Sequence, residues 1–220
     1  MQYMRNILAG STVPVCVVEP GGDSDLRWGF EKLRHIELAE RCGLEPPNPS
    51  GIEQDKYDQY ATYLLILASD KQVLAGCRLI DGGLTQITLP PQSITSGRHC
   101  ELSRLLVCST VRGSQESSIY LCSLYAKLLT YAFEEGRYDT VYLDVRAPLF
   151  RTLRSLFGET LEQIGEPTVH VKHKRRLKLV PACFSSHSKD AMWASLVRRV
   201  QLHTLREQPI LTEPHAVRVA

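Results

Sequence analysis

Residues 53–80 read EQDKYDQYATYLLILASDKQVLAGCRLI, and this stretch indicates the fold. Two apolar runs, residues 60–68 and 73–80, lie on either side of the polar sequence Ser69-Asp70-Lys71-Gln72. Two runs of this length joined by a short polar turn predict a β-hairpin. Because the first run is continuously apolar, we expect at least one strand of the hairpin to be buried on both faces. The hairpin should therefore lie inside a larger sheet.

The segments around this hairpin alternate between helical and extended patterns. Apolar residues at helical spacing predict a helix over residues 26–42, which ends near Gly43 before the proline-rich loop 46–51. The remaining pattern predicts strands at 101–108, 140–145 and 168–180 and helices at 117–134, 149–156 and 188–205. We expect one α/β domain with a mixed sheet flanked by helices over residues 1–187, followed by a C-terminal helix and tail over residues 188–220.

Composition excludes several classes of protein. The 220 residues are 43% hydrophobic, enough for a core, and the formal charge of +2 predicts no bulk attraction to nucleic acid or membrane. Seven scattered cysteines without a C-x-x-C pair are typical of reduced, buried thiols. No apolar run is long enough for stable membrane insertion, so we expect a cytoplasmic location.

Charged residues of both signs lie beside the apolar runs. Glu53, Asp55 and Asp58 precede the hairpin, Arg78 lies in its second strand, and Glu101-Leu102-Ser103-Arg104 begins the next predicted strand. Charges close to a core must pair with one another to offset the cost of losing water. The sequence therefore predicts a charged cleft.

The order and spacing of these charges resemble the signature of the acyl-homoserine-lactone synthases, bacterial autoinducer synthases whose fold is similar to that of the GNAT N-acyltransferases. The resemblance spans roughly residues 26–165 and is carried by an arginine nineteen residues before the first acid of E-x-D-x-x-D, by G-C-R-L-I and by E-L-S-R. The matching residues are Arg34, Glu53, Asp55, Asp58, Arg78, Glu101 and Arg104.

The resemblance implies an N-acyltransferase with a GNAT-like fold. It would move a fatty acyl group from acyl carrier protein, or from coenzyme A, to the amine of S-adenosylmethionine and give an acyl-homoserine lactone, a quorum-sensing signal. The acyl thioester and S-adenosylmethionine are both substrates of this reaction, so we expect no cofactor and no metal.

The chemistry of this transfer assigns a role to each charged residue. An ammonium group must lose a proton before it attacks a thioester, and Glu101 is the predicted base. Asp55 and Asp58 suit a positively charged acceptor, while Arg78 and Arg104 can pair with these acids or with an acceptor carboxylate. Arg34, Glu53, Ser103 and Trp28 are the predicted substrate-binding residues.

Two positions depart from the family pattern. Leu38 and Leu44 stand where the family has aromatic residues that help to form the S-adenosylmethionine pocket. Leucines remove stacking and cation–π surface, for which Trp28 could partly compensate. A related reaction, acylation of a free amino acid by an N-acyl amino acid synthase, therefore stays open as the alternative.

One dense basic cluster lies near the C-terminal end of the predicted domain. It consists of Lys172, Lys174, Arg175, Arg176 and Lys178. Such a cluster is either a solvated strand face or, by charge complementarity, a docking site for an acidic acyl carrier protein. Two other classes of function are also considered: a non-catalytic acyl- or amino-acid-binding regulator on the same fold, and a nucleic-acid-binding protein, which the lack of aromatic residues in the cluster disfavours.

Overall fold

A mixed β-sheet organises the chain in a computed structural model that describes residues 12–82, 97–173 and 175–207. Its strands in these ranges follow the spatial order β1-β2-β3-β4-β5-β8-β6, and β7 pairs with β8. The strands are β1 (Cys16–Val18), β2 (Ala61–Leu67), β3 (Val73–Asp81), β4 (His99–Val107), β5 (Thr140–Arg146), β6 (Leu161–Gln163), β7 (Thr168–Lys172) and β8 (Arg175–Ser185).

The predicted hairpin is confirmed by β2 and β3, which pair antiparallel from Ala61 opposite Ile80 to Leu67 opposite Val73. Leu64 and Leu65 point to opposite faces of the sheet, and both are fully buried. The hairpin is therefore an interior part of the sheet, as its continuous apolar run predicts.

Helices lie on both faces of the sheet. They are α1 (Ser24–Arg34), α2 (Gln115–Leu129), α3 (Ala147–Phe157) and α4 (Lys189–Glu207). α1 continues as a π-helical segment, His35–Arg41, in which the Cys42 N–H donates to the Glu37 carbonyl five residues back. α2 continues in the same way as Thr130–Glu134. The helix predicted over residues 26–42 is thus confirmed, and its last turns, His35–Arg41, are wound as a π-helix.

Two apolar clusters lie on opposite faces of the sheet. The larger one packs α2 and α4 on one face, through residues such as Leu128 and Leu196. The smaller one packs Phe30 and Leu33 of α1 on the other face, beneath β2 and β3. α1 packs on the part of this face that β2 and β3 form. The candidate site lies beside it, between the separated ends of β4 and β5.

One strand prediction is wrong, and two short strands were not predicted. The single strand predicted over residues 168–180 is wrong: β7 and β8 form a hairpin there, with His173 in the turn at a φ of +45°. No glycine, proline or asparagine marks that turn, so no residue type in the sequence indicates the end of a strand there. The short strands β1 and β6 were also not predicted, because three residues carry too little pattern.

The C-terminal helix α4 belongs to the main core. Met192, Trp193 and Leu196 are buried against the same apolar cluster as α2 and α3. The tail from residue 208 lies outside the described residues, as does the N-terminal apolar run up to residue 11. No helix among the described residues is long and apolar enough to span a membrane.

The predicted reduced state of the cysteines agrees with the structure, in which all seven side chains are free thiols. Burial raises the pKa of Cys77 to about 12 and the pKa values of Cys122 and Cys183 to about 11. These thiols are therefore protonated at neutral pH and fill space in the core.

Candidate active site

Six of the charged side chains predicted from sequence form one connected group, hereafter the charge network. Arg34 comes from the end of α1, Arg78 from β3 and Arg104 from β4, and the acids lie on the loop that connects the π-helical segment to β2. The members are Arg34, Glu53, Asp55, Asp58, Arg78 and Arg104.

Asp58 is the centre of the charge network and is 1% exposed. Its Oδ1 accepts from Arg34 Nη1 at 2.6 Å, Arg78 Nη1 at 2.8 Å and the Tyr63 hydroxyl at 2.8 Å. Its Oδ2 accepts from Arg34 Nη2 at 3.2 Å and the Asp55 N–H at 2.6 Å. Burial opposes ionisation, but the hydrogen bonds and charge of Arg34 outweigh it and hold the pKa of Asp58 well below its ordinary value.

Glu53 and Arg104 form the second part of the network. Glu53 accepts from the Arg34 guanidinium and, at 2.8 Å, from Arg104 Nη2. Arg104 Nη2 also lies 3.4 Å from Asp55. The Glu53 N–H donates to the Glu31 carbonyl at 3.1 Å, which ties the acidic loop to α1. The acids and the arginines therefore compensate each other, and acceptor binding by Asp55 and Asp58 stays a prediction.

A β-bulge in β4 explains how Ser103 and Arg104 both reach this group. Arg78 pairs with Ser103 and Gly76 with Leu106, so β4 holds one extra residue between these pairs. Arg104 has a φ of +54°, which breaks the alternation of side chains. The Ser103 hydroxyl accepts from Arg78 Nε at 3.1 Å. Ser103 and Arg104, although adjacent in the strand, therefore both contact the charge network.

A cavity opens where β4 and β5 stop pairing. The parallel ladder runs from His99 opposite Thr140 to Leu102 opposite Leu143 and contains no described pair beyond them. The space between the separated strands has a volume of about 820 Å³, within the usual range of small-molecule sites. Its apolar end is lined by Leu105, Leu121, Tyr125, Val145 and Leu149.

Glu101 lines this cavity and is 1% exposed. It pairs with Tyr142, so Asp144, two residues further along β5, shares its face of the sheet. Burial, together with the smaller effect of the Glu101 charge, raises the pKa of Asp144 to about 6, while the charges of His170 and Lys172 oppose this rise. The cavity thus holds a second carboxyl group close to the predicted base.

Sequence reasoning missed Asp144. It lies within Thr140-Val141-Tyr142-Leu143-Asp144-Val145, which fits a buried strand and no motif. A lone acid inside such a run is the signal that could have found it, because a charged group in a buried strand needs a compensating role. Tyr63 was missed for the same reason, since its sequence context predicts only a core residue.

Leu38 and Leu44 line the cavity opposite the sheet. Leu38 comes from the π-helical segment and Leu44 from the loop that follows it, where Leu44 is buried. Next to it, Glu45 lies 3.9 Å from Arg104 and 3.5 Å from Lys172. The two positions that depart from the family pattern therefore contribute aliphatic surface to the site.

The structure does not bring Trp28 to the cavity. Its side chain is 49% exposed on α1, and Lys32 Nζ lies 5.2 Å from the centre of its ring. Trp28 is not among the lining residues, whereas Glu101, Ser103 and Arg104 all are. Arg34, Glu53, Asp55, Asp58 and Arg78 lie in the adjoining charge network.

The β7–β8 hairpin carries the predicted docking residues, and they divide between two faces. Lys172 lines the cavity, while Arg176 and Lys178 are exposed on the other face, opposite Val171 and Val169. Both valines are exposed, at 71% and 61%. The remaining members are Arg175, whose Nε donates to the Cys42 carbonyl at 3.1 Å, and Lys174, which lies outside the described residues.

Known structures were compared with this fold. No protein-family model and no curated protein sequence matches the chain. Among solved structures, TofI in a ternary complex with an inhibitor and MTA has a TM-score of 0.64 at 16% identity, over 84% of this chain and 96% of TofI. BjaI, a CoA-dependent acyl-homoserine lactone synthase solved with SAM and isopentyl-CoA, has a TM-score of 0.62 at 17% identity, over 86% of this chain and 98% of BjaI.

More distant neighbours are N-acetyltransferases. One example is a putative N-acetyltransferase from Lactobacillus plantarum, with a TM-score of 0.52 at 9% identity, over 79% of this chain and 98% of that one. The family resemblance predicted from the charged residues is thus confirmed at the level of the fold. The chain has the mixed α/β fold that acyl-homoserine lactone synthases share with GNAT N-acetyltransferases.

Proposed function

We propose that this chain is an N-acyltransferase that transfers an acyl group from a thioester to the amine of S-adenosylmethionine and yields an acyl-homoserine lactone. The observation that carries the proposal is the cavity between the separated strands β4 and β5, which has Glu101 on its wall and the charge network beside it. BjaI, which has the same fold, was solved with both SAM and an acyl-CoA.

In the proposed reaction, the Glu101 carboxylate takes a proton from the acceptor ammonium group. The amine then attacks the thioester carbonyl carbon, the C–N bond forms, the C–S bond breaks, and the leaving thiolate takes up the second amine proton. The carboxylate of the acylated S-adenosylmethionine then attacks its own Cγ, so that the lactone C–O bond forms as the C–S⁺ bond breaks and methylthioadenosine leaves. Backbone N–H groups of β4 beyond Leu102, where the ladder to β5 has ended, are candidates to hold the oxyanion. No protein nucleophile is needed, because the amine attacks the thioester directly.

The charge network keeps this wall of the cavity fixed. Asp58 and Arg78 are buried and bonded to each other, and Ser103 on β4 is bonded to Arg78. Through these contacts the strand that carries Glu101 is tied to the acidic loop. Such fixed geometry favours attack, because a near-attack arrangement removes part of the entropic barrier.

A second candidate acceptor is a free amino acid. The observation that favours it is the aliphatic lining at Leu38 and Leu44, which offers no ring for an adenine base or a sulfonium group to stack on. Trp28 lies outside the lining and cannot supply that ring without a rearrangement.

For the donor we propose acyl carrier protein, with acyl-CoA as the alternative. Arg176 and Lys178 present positive charge beside exposed Val169 and Val171 on the β7–β8 hairpin. A face that combines positive charges with exposed apolar residues beside them suits an acidic protein surface. The inner face of the same hairpin lines the cavity through Lys172. A carrier protein docked on the outer face would therefore hold its acyl arm close to the cavity.

The test is a product assay with purified protein. An acyl thioester, on carrier protein or on CoA, is offered with either S-adenosylmethionine or a mixture of amino acids, and the amide formed is identified by mass spectrometry. A lactone supports the proposal, and an N-acyl amino acid replaces it with the second candidate. No amide with any combination would indicate a non-catalytic binding protein on this fold.

A further inference from the structure

Asp144 is an ionisable group in the cavity that the proposed reaction leaves unused. It is the first residue of β5 beyond the pair Leu102–Leu143, the last described pair of the parallel ladder, and it lines the cavity. Its Oδ1 atom is shielded from solvent and has no hydrogen-bond partner among the described residues. Its Oδ2 atom has no hydrogen bond in the described part of the chain either, but it is not shielded. The carboxyl group therefore meets the cavity through Oδ2.

Asp144 and Glu101 lie at a fixed offset on the same wall of the cavity. Glu101 pairs with Tyr142, so Asp144 lies on the neighbouring strand and two residues, or about 6–7 Å, further along it. In the tetrahedral intermediate of acyl transfer, the amine nitrogen and the leaving sulfur are bonded to the same carbon. One group beside the nitrogen and another beside the sulfur, each with a hydrogen-bond reach of about 3 Å, need a separation of this size.

Two basic side chains of β7 face Asp144 without forming an ion pair with it in the described structure. His170 and Lys172 both line the cavity. Lys172 Nζ lies 3.5 Å from Glu45, and His170 Nε2 lies 2.7 Å from the Thr168 hydroxyl. Burial raises the pKa of Asp144 to about 6, and the charges of His170 and Lys172 only partly oppose this rise. A carboxyl group with this pKa can accept and release a proton near neutral pH.

The position of Asp144 costs stability that its described surroundings do not restore. A carboxylate that loses water without gaining a hydrogen bond destabilises the folded state, and an asparagine of the same shape would not carry the charge. Ionisable groups held in this way concentrate at functional sites, where proteins give up stability for activity. The group that Asp144 lacks as a partner is therefore expected in the cavity.

We propose that Asp144 is a second catalytic residue, which carries the second amine proton to the leaving sulfur. The inference rests on the proposed acyltransferase function. After Glu101 has taken the first proton and the C–N bond has formed, the nitrogen holds one proton more than the amide keeps. The Asp144 carboxylate takes this proton through Oδ2 and passes it to the sulfur as the C–S bond breaks. The amide and a neutral thiol result, Asp144 is again a carboxylate, and Glu101 returns the first proton to solvent.

The experiment compares two donors that have the same acyl chain and differ in the leaving thiol. One is an acyl-pantetheine thioester, whose basic alkyl thiolate needs a proton to leave, and the other is the p-nitrothiophenyl thioester, whose thiolate leaves without one. Thiol release and amide formation are measured with S-adenosylmethionine or the amino acid mixture, and the rate without protein is subtracted. We expect Asp144→Asn to lower kcat with the pantetheine thioester by about 10²-fold or more, as for loss of a proton-transfer group. With the aryl thioester it should keep most of the wild-type kcat.

Two variants serve as comparisons. Glu101→Gln should lower kcat with both donors, because the first proton must leave the amine whichever thiol departs. Asp81→Asn makes the same chemical change at an exposed position at the end of β3, and Asp81 is not among the residues that line the cavity. It should leave kcat unchanged with both donors. Circular dichroism checks that all three variants keep the native fold.

Three results would overturn the proposed proton transfer. An unchanged kcat of Asp144→Asn with the pantetheine thioester would mean that the group is not used. Equal losses with both donors would mean that it only shapes the cavity wall, and a raised KM for the acceptor at unchanged kcat would mean that it only binds the ammonium group. A wild-type protein that forms no amide with either donor would refute the acyltransferase itself, and the role of Asp144 with it.

Discussion

Replacing Asp58 by asparagine should destabilise the protein strongly, because Asp58 holds two buried arginines in place. The asparagine keeps one oxygen, which can still accept from Arg34 Nη1, Arg78 Nη1 and the Tyr63 hydroxyl. Its NH₂ group, however, faces Arg34 Nη2 and the Asp55 N–H, which are both donors. Breaking a buried ion pair from one side typically costs about 3–5 kcal/mol, and we expect Asp58→Asn to fall in this range.

The dependence on pH gives a second, independent measure. The pKa of Asp58 is lowered in the folded protein, so its stabilisation is fully present above the ordinary aspartate pKa of about 3.9 and is lost as the pH falls through the folded value. Asp58→Asn has no such group. The gap in stability between wild type and variant should therefore narrow on acidification below about pH 4.

Urea unfolding followed by circular dichroism, at neutral pH and at several acidic values, measures both effects. Glu135→Gln is the control, since Glu135 forms an ion pair of 2.9 Å with Arg137 in which both side chains are about 40% exposed. Exposed pairs contribute about 0–1 kcal/mol. The central role of Asp58 would be refuted if Asp58→Asn lost no more free energy of unfolding than Glu135→Gln. It would also be refuted if the difference in that free energy between wild type and Asp58→Asn stayed constant with pH.

Three further outcomes are expected. Glu101→Gln should lower kcat by about 10²–10⁴-fold in the product assay while the circular dichroism spectrum stays native, and near wild-type turnover would exclude Glu101 as the base. Charge reversal at Arg176 and Lys178 should raise KM for acyl carrier protein more than for a small acyl thioester, with the difference shrinking at high salt; equal effects would leave only a solvated strand face. In thermal melts across pH, the free energy of unfolding of Asp144→Asn should equal that of the wild type below about pH 4 and exceed it by about 1–2 kcal/mol above pH 6. The reason is that the wild-type protein loses stability as the pH rises from the unfolded pKa of Asp144 to its folded value of about 6. Partial exposure of the carboxyl group screens the effect and keeps it small. A wild type that gains stability over that interval relative to the variant would contradict the last expectation.

The elements with long, uniform patterns could be predicted from the sequence. The hairpin of β2 and β3 and the helix over residues 26–42 follow from apolar runs and periodicity, which depend only on near neighbours in the chain. β6 and the β7–β8 turn could not be predicted, because they depend on pairing with β8 at a sheet edge. Edge strands have one exposed side and carry mixed residues, so their sequence pattern is weak.

The charge network shows the same division. Its members could be predicted, because charges of both signs beside buried strands must compensate one another. Which acid pairs with which arginine could not be predicted, because the bulge at Arg104 reverses the direction of a side chain within the strand. No residue type at that position indicates a positive φ. Asp144 and Tyr125 enter the cavity only because β4 and β5 separate, which is a property of the sheet and not of either strand alone.

The π-helical segment at the end of α1 makes the site unusually open to change by insertion and deletion. Such a segment differs from an α-helix by roughly one additional residue per turn. Removing one residue from His35–Arg41 would turn the bond from the Cys42 N–H to the carbonyl five residues back into the four-residue spacing of an α-helix, and the residues beyond would stay close to their present positions. Leu38, Cys42 and Leu44 all line the cavity from this segment or just after it. A one-residue deletion within this segment would therefore change which of its side chains face the cavity, beginning with the one at Leu38, while the sheet and the charge network stay intact.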